Sequence, residues 1–160
     1  MKRAFLTIAI GAVATGCAPQ RHAALAPVGP APGISVKAPA NTGNLVVYSA
    51  WRRTGTDDPD HRILSNYDLL TEDRSQLLTV RNYVTPMLED PAIVALSPGQ
   101  YVVKTRVQRY GLMEIPVVIE SRKLTALFMD DSTVPEVTPN QAERIQLPDG
   151  RVIGWASVAK

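Results

Sequence analysis

Few side chains in this sequence could act as nucleophiles, general bases or metal ligands. The 160 residues include one Cys, Cys17, and two His, of which only His61 lies beyond residue 43. A single Cys excludes an internal disulfide, a zinc site built on Cys ligands and an iron–sulfur cluster. The sequence contains neither a Gly-x-Ser-x-Gly nucleophile motif nor a Gly-rich phosphate loop. We therefore expect a protein that is not an enzyme and that uses no cofactor.

The densest group of carboxylates lies just before His61. Asp57, Asp58 and Asp60 place three carboxylates within four residues, and carboxylate oxygens are ligands that Ca²⁺ prefers. The run lacks the ligand spacing and the backbone turn of an EF-hand loop. We therefore expect a solvated loop here and no metal site.

Two tryptophans are candidates for contact with a ligand. Trp51 borders the acidic loop, and Trp155 lies near the C-terminus. An exposed indole could stack on a sugar ring or pack against a partner protein, whereas a buried one would belong to the core. Core packing is the more common role in a domain of this size, and both interpretations stay open for Trp51 and Trp155.

Residues 1–17 form a leader that indicates membrane anchoring. Lys2 and Arg3 precede thirteen uncharged residues, which as a helix would span about 20 Å, less than the roughly 30 Å of a bilayer core. That length is typical of a secretory signal. Ala14-Thr15-Gly16-Cys17 resembles the bacterial lipobox, in which small residues precede a Cys that receives a diacylglyceryl group. The resemblance implies that residues 1–16 are a lipoprotein signal peptide and that Cys17 is the lipidated first residue.

The lipobox also implies where the protein resides. A lipid on Cys17 would attach the chain to a membrane of the cell envelope. Ala18, rather than Asp, follows the Cys, which in a Gram-negative host implies the periplasmic face of the outer membrane. The alternative is an ordinary cleaved signal in which Cys17 is incidental.

The charge of the chain does not suggest a nucleic-acid partner. The 17 Lys and Arg face 15 Asp and Glu, and two of the basic residues lie in the leader, so the remainder is formally neutral. A nucleic-acid binder gathers its cations on one face, whereas the basic residues here are scattered along the sequence. We expect no nucleic-acid partner, and the sequence leaves the oligomeric state open.

A proline-rich stretch follows the leader. Residues 17–43 contain Ala, Gly and five Pro but no aromatic residue. Proline supplies no backbone donor and interrupts helices, and such a composition is typical of a disordered linker. We therefore expect a lipid-anchored flexible tether over residues 17–43, with a reach of about 30 Å as a coil or about 80 Å as polyproline II. The folded domain is expected at residues 44–160.

The domain is predicted to be all-β because short apolar runs alternate with turn residues. Pro116 lacks a ladder donor, which predicts an edge position for its strand, and Pro148-Asp149-Gly150 predicts a C-terminal hairpin turn. We expect an antiparallel β-sandwich of the Greek-key type. The runs cover residues 45–51, 63–70, 76–81, 93–96, 101–108, 115–119, 124–129, 144–147 and 151–155.

One segment resembles a known kind of module. Pro98-Gly99-Gln100-Tyr101 precedes an alternating strand and is similar to a tyrosine corner, in which the hydroxyl bonds to backbone just upstream. The order of strands and turns from Ile93 to Met129 resembles PEGA-type and carboxypeptidase-regulatory-like (prealbumin-like) sandwich domains. Glu120-Ser121-Arg122-Lys123 departs from the Gly often found at the last turn. The resemblance implies a non-catalytic envelope module and assigns no active-site residue.

Two functions are consistent with these features. The first is a non-catalytic, lipid-anchored β module of the cell envelope that binds or scaffolds another envelope protein. The alternative is a module that binds glycan or cell wall through exposed aromatic residues. Aromatic side chains clustered on one flat face would favour the alternative, whereas an exposed edge strand or apolar patch would favour the first.

Overall fold

The computed structural model describes residues 25–30, 35–53, 62–82, 91–107, 109–129 and 142–158. The regular elements in these ranges are all strands, so the described part of the chain contains no helix that could cross a membrane. The strands are β1 Gly43–Tyr48, β2 Trp51–Arg53, β3 Arg62–Leu64, β4 Tyr67–Thr71, β5 Gln76–Val80, β6 Ile93–Leu96, β7 Gly99–Val107, β8 Gly111–Ile119, β9 Leu124–Phe128, β10 Ala142–Gln146 and β11 Val152–Val158.

The strands form two packed sheets and a small ribbon. One sheet has five strands in the order β10-β11-β9-β1-β6, the other has four in the order β5-β4-β7-β8, and β2 pairs with β3. All pairings are antiparallel except that between β1 and β9, which is parallel. The expected all-β sandwich is confirmed.

The core lies between the two sheets because side chains alternate along each strand. On β8, Ile115, Val117 and Ile119 are buried while their neighbours Glu114 and Val118 are only half-buried. One cluster of buried side chains draws on both sheets. Its strand members are Leu45, Val47, Tyr67, Leu69, Val80, Leu96, Val103, Val107, Ile115, Val117, Ile119, Leu127, Ile145, Ile153 and Ala156.

The same cluster also contains Leu25 and Val28, which are 8% and 6% exposed. Val28 pairs in parallel with Val117. Its N–H donates to the Pro116 carbonyl at 2.9 Å, and its carbonyl accepts from the Val118 N–H at 2.8 Å. Residues 25–30, which lie within the stretch expected to be a tether, are therefore held in place by an apolar pocket and an open sheet edge.

Pro116 lies where its missing donor predicts, on the edge strand β8. Its carbonyl and the Val118 N–H both point away from β7, toward residues 25–30. The expected tyrosine corner is also present, since the Tyr101 hydroxyl donates to the Ser97 carbonyl at 3.0 Å. The predicted C-terminal hairpin joins β10 to β11, with Gly150 at φ 85° in its turn.

The long apolar run at residues 63–70 is divided between β3 and β4, with Ser65 at the break. The Ser65 N–H and hydroxyl both donate to the Ala50 carbonyl, at 3.0 and 2.8 Å. The Ser49 hydroxyl in turn donates to the Ser65 carbonyl. These bonds tie the two chain segments together where both leave the sandwich for the β2–β3 ribbon.

Candidate functional site

The outer face of the five-stranded sheet carries an aromatic row, formed by Tyr48, Phe128 and Trp155 and ended by Arg144. Tyr48 on β1 pairs with Phe128 on β9, and Phe128 pairs with Trp155 on β11. Trp155 pairs with Arg144 on β10. The four side chains therefore stand side by side across four strands, on the face opposite to the buried Leu127.

The packing within the aromatic row limits what it can bind. The rings of Tyr48 and Phe128 stack with centroids 4.5 Å apart and planes inclined by 12°, so each covers one face of the other. The Arg144 guanidinium carbon lies 5.5 Å from the centre of the Trp155 ring and covers one of its faces. A sugar that stacks on an aromatic needs an open ring face. The arrangement therefore fits packing of half-buried rings better than a sugar platform.

Gly154 allows β11 to approach β9 closely beside the aromatic row. A Cβ at this position would lie 2.6 Å from the Phe128 carbonyl oxygen and 3.0 Å from the Met129 methyl carbon. Any larger residue would push β11 away from β9 and separate Trp155 from Phe128. Gly154 therefore helps to position Trp155 within the aromatic row.

Among the residues that the structure describes, Trp155 is the one sequence candidate that lies in the aromatic row. The backbone of Trp51 lies in β2 and pairs with Leu64. Cys17, His61 and the acidic run formed by Asp57, Asp58 and Asp60 lie outside the described residues. Of the two tryptophans proposed as ligand contacts, the structure therefore places the side chain of Trp155 alone.

The buried side-chain amide of Asn82 joins β1 to the segment before β6 by hydrogen bonds. Asn82 is 1% exposed, and its Nδ2 donates to the Val47 carbonyl at 2.8 Å and to the Ser49 hydroxyl at 3.2 Å. Its Oδ1 accepts from the Ala92 N–H at 3.1 Å. Because donor and acceptor both have partners, Asn82 serves as a structural bridge between β1 and the segment that leads to β6.

The surroundings shift the pKa of a few ionisable groups among the described residues. The pKa of Asp73 is lowered, first by a hydrogen bond from the Thr71 hydroxyl, and that of Asp149 by a hydrogen bond from the Arg151 side chain. Burial raises the pKa of Tyr67, which keeps its hydroxyl neutral. Within the described ranges, no three His, Cys, Asp or Glu side chains are grouped so as to hold a metal ion.

A cleft of about 230 Å³ opens between residues 26–28 and β10. Ala26, Val28 and Ala156 contribute apolar surface, and Glu143 and Gln146 contribute polar groups. These two polar side chains are exposed on β10. The cleft lies on the side of the sandwich that residues 25–30 close. The described side chains around it do not include a nucleophile paired with a base.

The four sheet edges differ in how open they are. Val28 covers β8, and register shifts interrupt the edge strands β5 and β10. Leu77 is the residue of β5 without a partner on β4, since Leu69 pairs with Leu78 and Leu70 with Gln76. In the described part of the chain, β6 is the uncovered edge strand whose pairing is continuous.

The exposed large apolar side chain on β6 is Ile93, which is 67% exposed. Val46 and Ile93 pair at one end of this ladder, and Gly43 and Leu96 at the other. Bulges and covering segments are the usual protection of sheet edges against added strands. A regular strand with an exposed β-branched residue is therefore the edge at which another strand could pair.

Sequence reasoning missed Tyr48, Phe128 and Arg144. Alternation along each strand indicates that Tyr48 and Phe128 face away from the core. The place of Tyr48, Phe128 and Arg144 in one row with Trp155 depends on the register of three strand pairings, one of them parallel. Sequence patterns alone do not specify that register.

Comparison with protein-family models, with curated proteins and with solved structures gave no match to this chain.

Proposed function

We propose that this chain is a non-catalytic, lipid-anchored module of the cell envelope, whose β-sandwich binds or scaffolds another envelope protein. The anchor is the diacylglyceryl group expected on Cys17. The partner is a protein segment that adds a strand at β6. The resemblance of residues 93–129 to PEGA-type and carboxypeptidase-regulatory-like domains supports a non-catalytic role in the envelope.

The observation that carries the protein-binding proposal is the contrast between β6 and the other sheet edges. Strand addition needs an edge with regular pairing, because the main-chain groups of the incoming strand must meet donors and acceptors that recur at regular intervals along the edge. Bulges disturb that spacing on β5 and β10. Ile93 gives the β6 edge an exposed apolar side chain that a partner could bury.

A photocrosslinking experiment in the cells that make the protein tests this interaction. A photoreactive residue at Ala95, which is exposed on β6, is expected to yield a discrete crosslinked partner. Ile93→Asp should abolish that product, because an anionic side chain on the edge strand opposes pairing. Leu77→Asp is the matched control, since Leu77 is 47% exposed on the bulged edge of β5. A crosslinked product that persists in Ile93→Asp, or is lost equally in both variants, would contradict binding at β6.

The anchor has its own test. Wild-type protein is expected to incorporate a clickable palmitate analogue, and Cys17→Ala is expected to incorporate none, because the diacylglyceryl group is transferred to the thiol. Ala18→Ser, one residue further on, should keep the label. Equal labelling of wild type and Cys17→Ala would exclude lipidation at this position.

The glycan alternative remains as the competing outcome. If the aromatic row bound cell wall, Trp155→Ala would abolish retention on peptidoglycan while Ile93→Asp would leave it unchanged. One face of each of the Tyr48, Phe128 and Trp155 rings is covered by a neighbouring side chain, which makes this the less favoured function.

A further inference from the structure

Residues 25–30, called the latch below, lie between the expected anchor and the strands of the sandwich. Val28 forms an isolated pairing with Val117 on β8, and Leu25 and Val28 are buried in the core. We propose that the latch is releasable: it opens while the two sheets stay folded, and its release lengthens the chain between Cys17 and the sandwich. The consequence for anchoring rests on the proposed lipidation of Cys17, whereas the opening itself does not.

The first argument is that prolines on both strands confine the pairing to one residue. In a parallel ladder the bonds recur at every second residue. On the N-terminal side of Val28, the next pairing would need a Pro116 N–H to donate to the Ala26 carbonyl. On the C-terminal side, it would need a Pro30 N–H to donate to the Val118 carbonyl. Proline has no N–H, so within the described residues the latch makes two main-chain hydrogen bonds, both through Val28.

The second argument is that the sheets do not depend on the latch for their pairing. β8 pairs with β7 over all nine of its residues, so β8 stays in its sheet when the latch leaves. The chain is fixed again at the β8–β9 turn, where the Val36 N–H donates to the Arg122 carbonyl at 2.9 Å and Ser35 pairs with Lys123. Because these contacts are separate from those of Val28, opening can stop before residue 35.

The third argument is that the latch is packed on one side. Leu25 and Val28 belong to the core cluster, whereas Ala26 and Pro27 are exposed. The cleft of about 230 Å³ lies between the latch and β10, so β10 supports the latch only in part. A segment with few buried side chains and few protected hydrogen bonds opens locally at a lower free energy than the whole domain.

Opening would change how far from the anchor the domain can lie. Eight Cα–Cα steps separate Cys17 from Leu25, and eighteen separate Cys17 from Ser35. At no more than about 3.4 Å per step, the reach from Cys17 grows from at most about 27 Å to at most about 61 Å. Tension between the anchor and a bound partner favours the longer, open form. The latch would thus set the distance from the membrane at which a partner can be held.

Hydrogen exchange of the full chain, followed by nuclear magnetic resonance, tests whether the latch opens alone. The Val118 N–H donates to the latch, whereas the Val117 N–H points toward β7, because main-chain groups of successive strand residues point in opposite directions. The protection factor of Val118 is expected to be at least about 100-fold lower than that of Val117, since local opening costs less than global unfolding. Equal protection of the two amides would mean that the latch opens only when the domain unfolds.

Pro116→Ala tests the limit that proline sets on the pairing. The new N–H can donate to the Ala26 carbonyl, so the protection of Val118 relative to Val117 should rise roughly fivefold, the effect of one added hydrogen bond. Pro39→Ala is the matched control, since Pro39 is exposed and lies outside the latch, and it should leave this ratio unchanged. A ratio that rises in neither variant, or equally in both, would contradict the pairing argument.

Force spectroscopy measures the change in reach. Handles attached at Cys17 and at Ala95→Cys, an exposed position on β6, apply tension as an anchor and a partner would. A reversible lengthening of at most about 34 Å is expected before the domain unfolds, since ten residues are released. Val28→Asp, which favours the open latch, should lack this step, and Ala26→Asp should keep it.

Two outcomes of the force measurement would overturn the inference. These are unfolding in a single step without earlier lengthening, and a step of equal size in Val28→Asp. Because both experiments use protein without lipid, they do not depend on lipidation in cells. A failure of palmitate labelling would instead remove the proposed anchor, and with it the consequence for membrane distance, while the measured opening would remain.

Discussion

Val28→Asp is expected to lower the free energy of unfolding by about 2–4 kcal/mol, because it places a carboxylate in a site that is 6% exposed in the wild type. The segment formed by residues 25–30 can avoid burying the charge by detaching from β8. Detachment would remove the acceptor of the Val118 N–H, which donates to the Val28 carbonyl at 2.8 Å. Urea denaturation measures the loss of stability, and hydrogen exchange at the Val118 amide reports detachment directly.

Ala26→Asp is the matched control, since Ala26 is exposed in the same segment. Its effect on the free energy of unfolding should stay within about 0.5 kcal/mol, as for most surface substitutions. If Val28→Asp and Ala26→Asp were equally stable and the Val118 amide exchanged equally slowly in both, residues 25–30 would not belong to the folded domain.

Gly43→Ala is expected to destabilise the domain by about 3 kcal/mol, at the upper end of the usual cost of overpacking. The added Cβ would lie 2.1 Å from the Glu120 carbonyl oxygen and 2.8 Å from the Ile119 Cγ2. The backbone there cannot shift freely, because the Asn44 N–H donates to the Lys123 carbonyl at 2.9 Å. The melting temperature of a domain of this size should fall by about 10 °C.

Gly29→Ala provides the comparison for this substitution. A Cβ on Gly29 would have no atom within 4 Å, so its effect should stay within about 1 kcal/mol of neutral. Thermal denaturation followed by circular dichroism measures both variants. Equal melting temperatures for Gly43→Ala and the wild type would mean that β1 and the β8–β9 turn are further apart than the structure shows.

The sequence alone predicted most of the strands, because the information is local. Alternation from Tyr101 to Val107 identifies a strand with one buried face, and that segment forms most of β7. Pro148-Asp149-Gly150 marks a turn through residues that favour it. Pro116 predicted an edge strand because a missing N–H cannot join a ladder on both sides.

Residues 25–30 make contacts that local sequence information does not predict. Five prolines and many small residues in 17–43 predicted a disordered tether. Composition describes the average character of residues 17–43, whereas a contact with the core depends on individual side chains. Leu25 and Val28 find an apolar space between the sheets, and the outward-facing groups of Pro116 and Val118 supply the hydrogen bonds.

By itself, then, the sequence determined the fold class, the turns, the edge position of Pro116 and the candidate lipidation residue, Cys17, since each depends on neighbouring residues. The tertiary structure decided which strands meet and in what register. The parallel pairing of β1 with β9 puts Tyr48 beside Phe128, and the β9–β11 register adds Trp155. Register is a property of two distant segments and of the core they bury together, so it emerges only when both sheets have packed.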